Sequence, residues 1–233
     1  MTTTNERRLP RGTLTPEMIV AESLRLLDTG GLDGFSMPKL GRALGADPTA
    51  VYRHFASKDD LVLAIADRLL AEALTGMLPQ ACWLDSVEQA TRRIRATYVA
   101  HPAAAALSSY RTTQGPAEIR GVDALIGAVR QAGYEGAQAA LMYRVIGDFT
   151  LAWAGSEAAF LSLDGDVQQT DRAAWSRAYR AVDRDDYPHI WSVRDDLAGV
   201  RDDDIFETVL SVFMEGLRAR APRPCGCEKH CGR

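Results

Sequence analysis

Apolar side chains recur at intervals of three and four residues along most of the chain, the spacing that collects them on one face of an α-helix. No stretch alternates apolar and polar residues as a half-buried strand does, so we predict an all-α protein. The acidic region 164–202 is predicted to be mostly irregular surface. Beyond the first four helices, the pattern predicts helices at about 85–100, 102–111, 116–132, 136–162, 171–181 and 203–219.

Four helix start signals follow one another closely near the N-terminus. Each predicted helix is preceded by a side chain that can accept a hydrogen bond from a free backbone N–H group: Thr15, Ser36, Asp47 and Ser57. Gly30–Gly31 is predicted to end the first helix and Gly45 the second. In the third, Val51 and Phe55 are one turn apart and are predicted to face inward.

Two short helices joined by a tight glycine turn, with a longer helix before them, form a helix-turn-helix. The second short helix would then face the DNA major groove. We expect Arg53 to donate two hydrogen bonds to a guanine edge, and Thr49 and Ala50 to offer methyl groups to thymine. The alternative is a structural hairpin whose cations only face solvent.

The neighbouring polar side chains are predicted to contact phosphates and so to set the register of the protein on the duplex. Tyr52, His54 and Lys58 are placed to do so, and the free N–H groups behind Ser36 can bind an anion. The full predicted DNA-binding set is Ser36, Met37, Pro38, Lys39, Pro48, Thr49, Ala50, Tyr52, Arg53, His54 and Lys58.

Charge is distributed unevenly along the 233 residues, whose formal net charge is −4. Residues 1–58 hold eight Lys/Arg and six Asp/Glu, whereas residues 59–233 hold nineteen and twenty-five. This polarity suits an N-terminal end that faces phosphates. With 46% hydrophobic and 25% charged residues, no membrane-length apolar run and no apolar leader, the composition predicts a globular cytoplasmic protein.

Residues Leu14–Ile65 resemble the DNA-binding domain of the tetracycline-repressor (TetR) family of bacterial regulators. The resemblance rests on the motif GLDGFSMPKL at the entry to the second helix, on LGA in the turn, and on VYRHFASKDDL after it. It implies a homodimer on a palindromic DNA operator, released by a small-molecule effector in the C-terminal domain. It also implies phosphate contacts from Tyr52, His54 and Lys58, and base contacts near Arg53. Pro38 replaces a base-reading arginine of the tetracycline repressor, so a different operator is expected.

Two C-terminal helices are predicted to form the dimer interface. Helix 136–162 is apolar nearly all round, and helix 203–219 is apolar over about half of its circumference. Two such helices from each subunit would make a four-helix interface across a two-fold axis. The alternative is that both are interior helices of a monomer. Residues 187–217 also resemble the dimer-forming part of the tetracycline-repressor subgroup.

An effector pocket is predicted among the helices between residues 80 and 180, although aromatic residues at helical spacing are also typical of an ordinary core. Asp148 lies in an apolar helix and needs a partner, which could be Arg144, an arginine across the dimer or a cationic ligand. Ser108 stands where the tetracycline repressor has a metal-binding histidine, so magnesium-bound tetracycline is not the expected effector. The predicted lining residues are Trp83, Tyr98, His101, Ser108, Tyr110, Arg111, Tyr143, Asp148 and Trp153.

The C-terminal sequence CGCEKHC offers four soft metal ligands, Cys225, Cys227, His230 and Cys231, within seven residues. So short a loop is strained as a metal site, and the nearby prolines favour a tail that leaves the fold, so we predict no metal and no cofactor. A metal- or redox-responsive regulator that uses this tail remains an alternative.

The sequence therefore predicts a ligand-responsive transcriptional regulator and not an enzyme, because the motifs H-E-x-x-H and G-x-S-x-G and a phosphate-binding glycine loop are absent. An all-α protein-interaction module without specific DNA binding is the rival. The predicted domains are a basic arm at 1–13 with Arg7, Arg8 and Arg11, a helix-turn-helix domain at 14–58, an effector and dimerisation domain at 59–221, and a tail at 222–233.

Overall fold

A computed structural model of the protein describes residues 14–77 and 80–224. All the regular secondary structure in those ranges is α-helical. The all-α prediction is confirmed. The helices are α1 (Pro16–Gly34), α2 (Met37–Ala43), α3 (Pro48–Val51), α4 (Lys58–Leu74), α5 (Trp83–Ala100), α6 (Pro102–Ser108), α7 (Pro116–Gln131), α8 (Gly136–Leu161), α9 (Gly165–Arg180), α10 (Pro188–Leu197) and α11 (Asp202–Arg220).

The chain divides into two compact units, one ending at Ser162 and the other beginning at Leu163. In the first unit α4 is the connecting element, since it packs against α1, α5, α6 and α7, while α8 packs against α5, α6 and α7. Helices α9 and α10 pack together in the second unit. No helix of the described ranges is long and apolar enough to cross a membrane.

The first four helices contribute to one apolar core, which continues into α5, α6 and α8. Ile19 of α1, Leu40 of α2, Val51 of α3 and Leu61 of α4 are each fully buried in it. Phe55 packs against the same core and is partly buried. The predicted inward orientation of Val51 and Phe55 is therefore confirmed, and the core holds the outer surface of α3 in a defined position.

The predicted caps form as hydrogen bonds between side chains and backbone. Thr15 Oγ1 accepts from Met18 N at 3.3 Å, Ser36 Oγ from Lys39 N at 3.4 Å, and Ser57 Oγ from Asp60 N at 3.0 Å. Asp47 Oδ1 accepts from Thr49 N at 2.8 Å. The regular course of α1 is broken at Gly31, whose φ of 60° lies in the left-handed region that favours glycine.

The region predicted to be mostly irregular contains more helix than the sequence pattern indicates. Helix α9 begins at Gly165, about six residues before the predicted start, and α10 was not predicted at all. Neither helix has a buried residue, so the apolar periodicity that identifies a helix is weak there. In α10 the indole of Trp191 is within cation–π distance of two guanidinium groups: its ring centroid lies 4.8 Å from Cζ of Arg184 and 4.1 Å from Cζ of Arg194.

Candidate DNA-binding surface and effector cavity

Two glycines allow the tight turn between α2 and α3. Gly45 has a φ of 59°, and Ala46 N donates to Gly41 O at 2.9 Å. A Cβ atom on Gly41 would lie 3.0 Å from Ala46 O and 3.1 Å from Pro48 Cγ, so a larger residue would push α3 away from α2. The close approach gives the two short helices the fixed relation that a helix-turn-helix requires.

Most of the predicted DNA-binding residues lie on the outside of this hairpin. Met37 is different: it is only 7% exposed and belongs to the apolar core. Ser36, Pro48 and Ala50 are half-buried. The exposed members are Pro38, Lys39, Thr49, Tyr52, Arg53, His54 and Lys58.

The cations and hydroxyls of this surface differ in how far they are already bonded. Thr49 Oγ1 donates to Asp47 Oδ1 at 2.7 Å, which leaves its methyl group as the outward feature. Lys39 Nζ donates to Asp33 O at 2.5 Å, and Lys58 Nζ lies 5.3 Å from the Phe35 ring centroid. Arg53 forms no hydrogen bond or ion pair with any residue in the described ranges. Its guanidinium group is therefore available to an external acceptor.

A cavity of about 110 Å³ lies in the first unit, among α4, α5, α7, α8 and the loop after α6. Most of its wall is apolar, with side chains such as Leu70, Ile94 and Ile146. The polar and charged side chains in the wall are fewer: Ser86, Thr91, Tyr98, Ser108, Ser109, Arg111, Thr113, Glu118, Tyr143 and Thr150. An apolar cavity with a few polar groups is typical of a small-molecule site.

Six of the nine predicted effector residues surround this cavity or the groove beside it. Tyr98, Ser108, Arg111 and Tyr143 line the cavity. The groove between the loop after α6 and α8 is lined by Tyr110 and Asp148, and it shares Arg111 and Tyr143 with the cavity.

The other three predicted residues, Trp83, His101 and Trp153, do not line either space. Trp83 is 3% exposed at the start of α5, and its Nε1 has no hydrogen-bond partner within the described part of the chain. The Trp153 ring lies 6.5 Å from that of Phe149.

His101 connects three helices at the junction of α5 and α6. Its Nδ1 lies 3.0 Å from both carboxylate oxygens of Asp28 in α1, and its Nε2 lies 3.3 Å from Glu72 Oε1 in α4. Burial opposes protonation of the ring, but the two carboxylates outweigh it and raise the pKa of His101 above its ordinary value. The side chain thus has a linking position and not the predicted place in the cavity wall.

Asp148 finds its partner one turn away on its own helix. Arg144 Nη2 donates to Asp148 Oδ2 at 3.1 Å, and both side chains are more than 60% exposed. Arg144 is one of the three partners that the sequence left open, and it contacts Asp148 within this chain. The pair lines the groove, and its two opposite charges neutralise each other.

Several wall residues were not predicted. Glu118 Oε2 accepts from Thr113 Oγ1 at 2.8 Å and from Gln114 N at 2.7 Å, and Thr91 and Thr150 are joined through their hydroxyls at 3.1 Å. In the sequence Glu118 has the signature of a first-turn helix acid after Pro116, which indicates a helix start and says nothing of a cavity.

Two carboxylates of α4 bond the segment that forms the cavity wall. Asp59 makes a two-point ion pair with Arg111, which lowers the pKa of the carboxyl group. Asp67 Oδ1 accepts from Ala117 N at 3.1 Å, from Glu118 N at 2.9 Å and from Thr113 Oγ1 at 3.1 Å. The helix that follows the DNA-binding hairpin is thereby tied to the loop after α6 and to the start of α7.

The candidate side chains of the two predicted terminal segments lie outside the described residues. They are Arg7, Arg8 and Arg11 of the arm and Cys225, Cys227, His230 and Cys231 of the tail. Among residues 14–77 and 80–224, no group of three or more His, Cys, Asp or Glu side chains could hold a metal ion.

Two curated relatives illustrate the similarity of this chain to known proteins. It is 32% identical over 116 residues to the HTH-type transcriptional repressor Rv1353c of Mycobacterium tuberculosis, covering 49% of this chain and 44% of that relative. The chain thus spans less than half of that relative's length. It is 29% identical over 213 residues to the class A tetracycline repressor protein from transposon 1721 of Escherichia coli, covering 89% of this chain and 92% of that repressor.

The fold is shared with a solved structure. The TetR family protein ActR of Streptomyces coelicolor, in complex with actinorhodin, superimposes with a TM-score of 0.76 at 24% identity, covering 90% of this chain and 99% of ActR. Family models match most of the chain: "Bacterial regulatory proteins, tetR family" at residues 19–65 and "Tetracyclin repressor-like, C-terminal domain" at residues 75–221. The chain, with its capped helix-turn-helix and its cavity-bearing helical domain, therefore belongs to the TetR family of bacterial regulatory proteins.

Proposed function

We propose that this protein is a transcriptional regulator, most simply a repressor, that binds a palindromic DNA operator as a homodimer and releases it when a small molecule occupies the cavity. The observation that carries the proposal is the exposed guanidinium of Arg53 on the outer side of the helix-turn-helix, where it has no partner among the described residues. An arginine in that position can donate two hydrogen bonds to a guanine in the major groove. The family membership of the chain supports the same role.

The homodimer is supported by apolar side chains that a single copy leaves exposed. On α8, Leu141 is 65% exposed and Val145 is 41% exposed, and on α11 the values are 64% for Val212 and 38% for Ile205. Side chains of this kind are stabilised when a second copy covers them. A two-fold dimer also presents two α3 helices, and two half-sites supply the sequence specificity that one short helix lacks.

Effector control is supported by the bonds between the cavity wall and α4. Arg111 lines the cavity and holds Asp59 in the first turn of α4, next to Lys58. A ligand that displaces the loop after α6 would therefore act on the helix whose start carries a predicted phosphate contact. The proposed result is a lower affinity for the operator.

Selection from a random pool of DNA duplexes tests the DNA-binding role directly. We expect the selected duplexes to contain an inverted repeat, and fluorescence anisotropy to show tighter binding to them than to a shuffled duplex. The affinity should fall with added salt, because phosphate contacts release counterions. Recovery of no common sequence, with equal affinity for both duplexes, would favour the interaction-module alternative.

A further inference from the structure

Among the described residues, not every charged side chain around the cavity and its groove has a partner of opposite charge. Four of them line the two spaces: Arg111, Glu118, Arg144 and Asp148. Arg144 is paired with Asp148 at 3.1 Å, and Arg111 is paired with Asp59 at 2.5 Å. Glu118 is left as the member without a cation among the described residues.

The hydrogen bonds of Glu118 involve neutral donors and one of its two oxygens. Oε2 accepts from the Thr113 hydroxyl and from Gln114 N, whereas no donor from the described ranges bonds Oε1. The side chain is half-buried and borders both the cavity and the groove. A carboxylate partly withdrawn from water beside an apolar wall is stabilised by a cation, and a ligand can supply one.

Two phenol rings line the same cavity as Glu118. Burial raises the pKa of Tyr98, and the negative charge of Glu118 raises it further; the pKa of Tyr143 is raised by the same two causes in the same order. Both hydroxyls are therefore protonated near neutral pH. Aromatic rings also attract cations to their faces, so they complement a positively charged ligand.

We propose that the cavity binds an organic cation, in which an apolar and preferably aromatic body carries a protonated amine or a quaternary nitrogen, with Glu118 as its counter-ion. The inference rests on the proposed function only in treating the cavity as the effector site. An anionic ligand is disfavoured, because the cation that lines the cavity, Arg111, already holds Asp59.

A matched ligand series tests this charge preference on the full chain. The probes are 1-naphthylmethylamine, 1-naphthylmethanol and 1-naphthoic acid, which share one aromatic body and are positive, neutral and negative at pH 7. Calorimetric titration should give a dissociation constant for the amine about tenfold below that of the alcohol, with the acid weakest. Equal binding of all three, stronger binding of the acid, or binding of none overturns the proposal.

The variant Glu118→Gln assigns the preference to one side chain. Glutamine keeps an oxygen that can accept from Thr113 and Gln114 but removes the charge, so the amine and the alcohol should then bind within about twofold of each other. Asp123→Asn is the matched control, since it removes a carboxylate from the same helix outside the cavity wall; it should retain the preference. An unchanged preference in Glu118→Gln overturns the assignment.

The same samples separate this inference from the proposed function. Operator binding is measured on the unliganded wild-type protein, so a failure to select DNA counts against the regulator and not against the cation site. If the protein selects an operator but shows no preference for the amine, the result refutes the cation site and leaves the proposed function standing. If Glu118→Gln does not fold, the wild-type ligand series decides the proposal by itself.

Discussion

Arg111 and Asp59 form a two-point ion pair, with Nη1 2.5 Å from Oδ1 and Nη2 2.6 Å from Oδ2. Arg111 belongs to the loop that lines the cavity, and Asp59 belongs to the first turn of α4, directly after Lys58. This ion pair therefore links the cavity wall to the start of α4, the helix that follows the DNA-binding hairpin. Because the carboxylate is 59% exposed, salt should weaken this contact.

We expect Asp59→Asn to destabilise the protein slightly at low salt and hardly at all at high salt. Raising the ionic strength to about 1 M shortens the screening length to about 3 Å, which weakens the exposed pair in the wild-type protein. Urea denaturation of both proteins at low and high salt measures the difference. A stability difference that does not change with salt would show that the pair contributes no Coulombic stabilisation.

Protonation of His101 should stabilise the fold. Its pKa in the folded state is raised above the ordinary value of about 6.5, so the stabilisation is fully present below about pH 6.5 and is lost as the pH rises through the raised folded value. The free energy of unfolding of the wild-type protein should therefore exceed that of His101→Gln by more at pH 6 than at pH 9. Free energies of unfolding at the two pH values test this, and equal differences would refute it.

Asp67 should contribute more to stability than the surface ion pairs, because it accepts backbone N–H groups at the start of α7. We expect Asp67→Ala to lower the free energy of unfolding by about 1–3 kcal/mol, since Ala117 N and Glu118 N lose their acceptor. Asp67→Asn keeps one acceptor oxygen and should cost less. Chemical denaturation of both variants measures the order, and a reversed order would contradict this role.

Two substitutions on the proposed DNA-binding surface should differ in kind. Arg53→Ala should relax the preference at one base pair by about 1–3 kcal/mol, whereas Lys58→Ala should weaken binding to all duplexes alike. The slope of log affinity against log salt should become shallower by about one for Lys58→Ala. Titrations with the selected operator and with single-base variants test both, and unchanged binding by both variants would remove the assigned roles.

Substitutions in the proposed dimer interface should lower the mass of the protein in solution. The wild-type protein should sediment at about twice its chain mass of 25.4 kDa, and Leu141→Glu combined with Val212→Glu should shift it towards a single chain. Ile119→Glu, which places one glutamate at a 61% exposed site on α7, serves as the control and should stay dimeric. A wild-type protein that is monomeric at all concentrations would rule out the dimer.

The helix starts and the DNA-binding hairpin were predictable because their signals are local. Thr15, Ser36, Asp47 and Ser57 each cap a helix within three residues of themselves, and the apolar repeat identifies the inward face without any knowledge of the partner helix. Helix α10 escaped prediction for the converse reason. It buries no side chain, so its apolar periodicity is too weak to mark it.

The all-helical fold and the capped helix-turn-helix near the N-terminus follow from local sequence patterns, because those features depend on residues a few positions apart. The set of residues that line the cavity depends instead on long-range packing. Glu118 and Tyr98 are twenty positions apart on different helices, and Arg111 reaches Asp59 across fifty-two. The packing of α4, α5, α7 and α8 brings those residues together, and no local sequence pattern predicts that packing. The same packing places His101 beside Asp28 and Glu72 and not in the cavity wall that the sequence predicts for it.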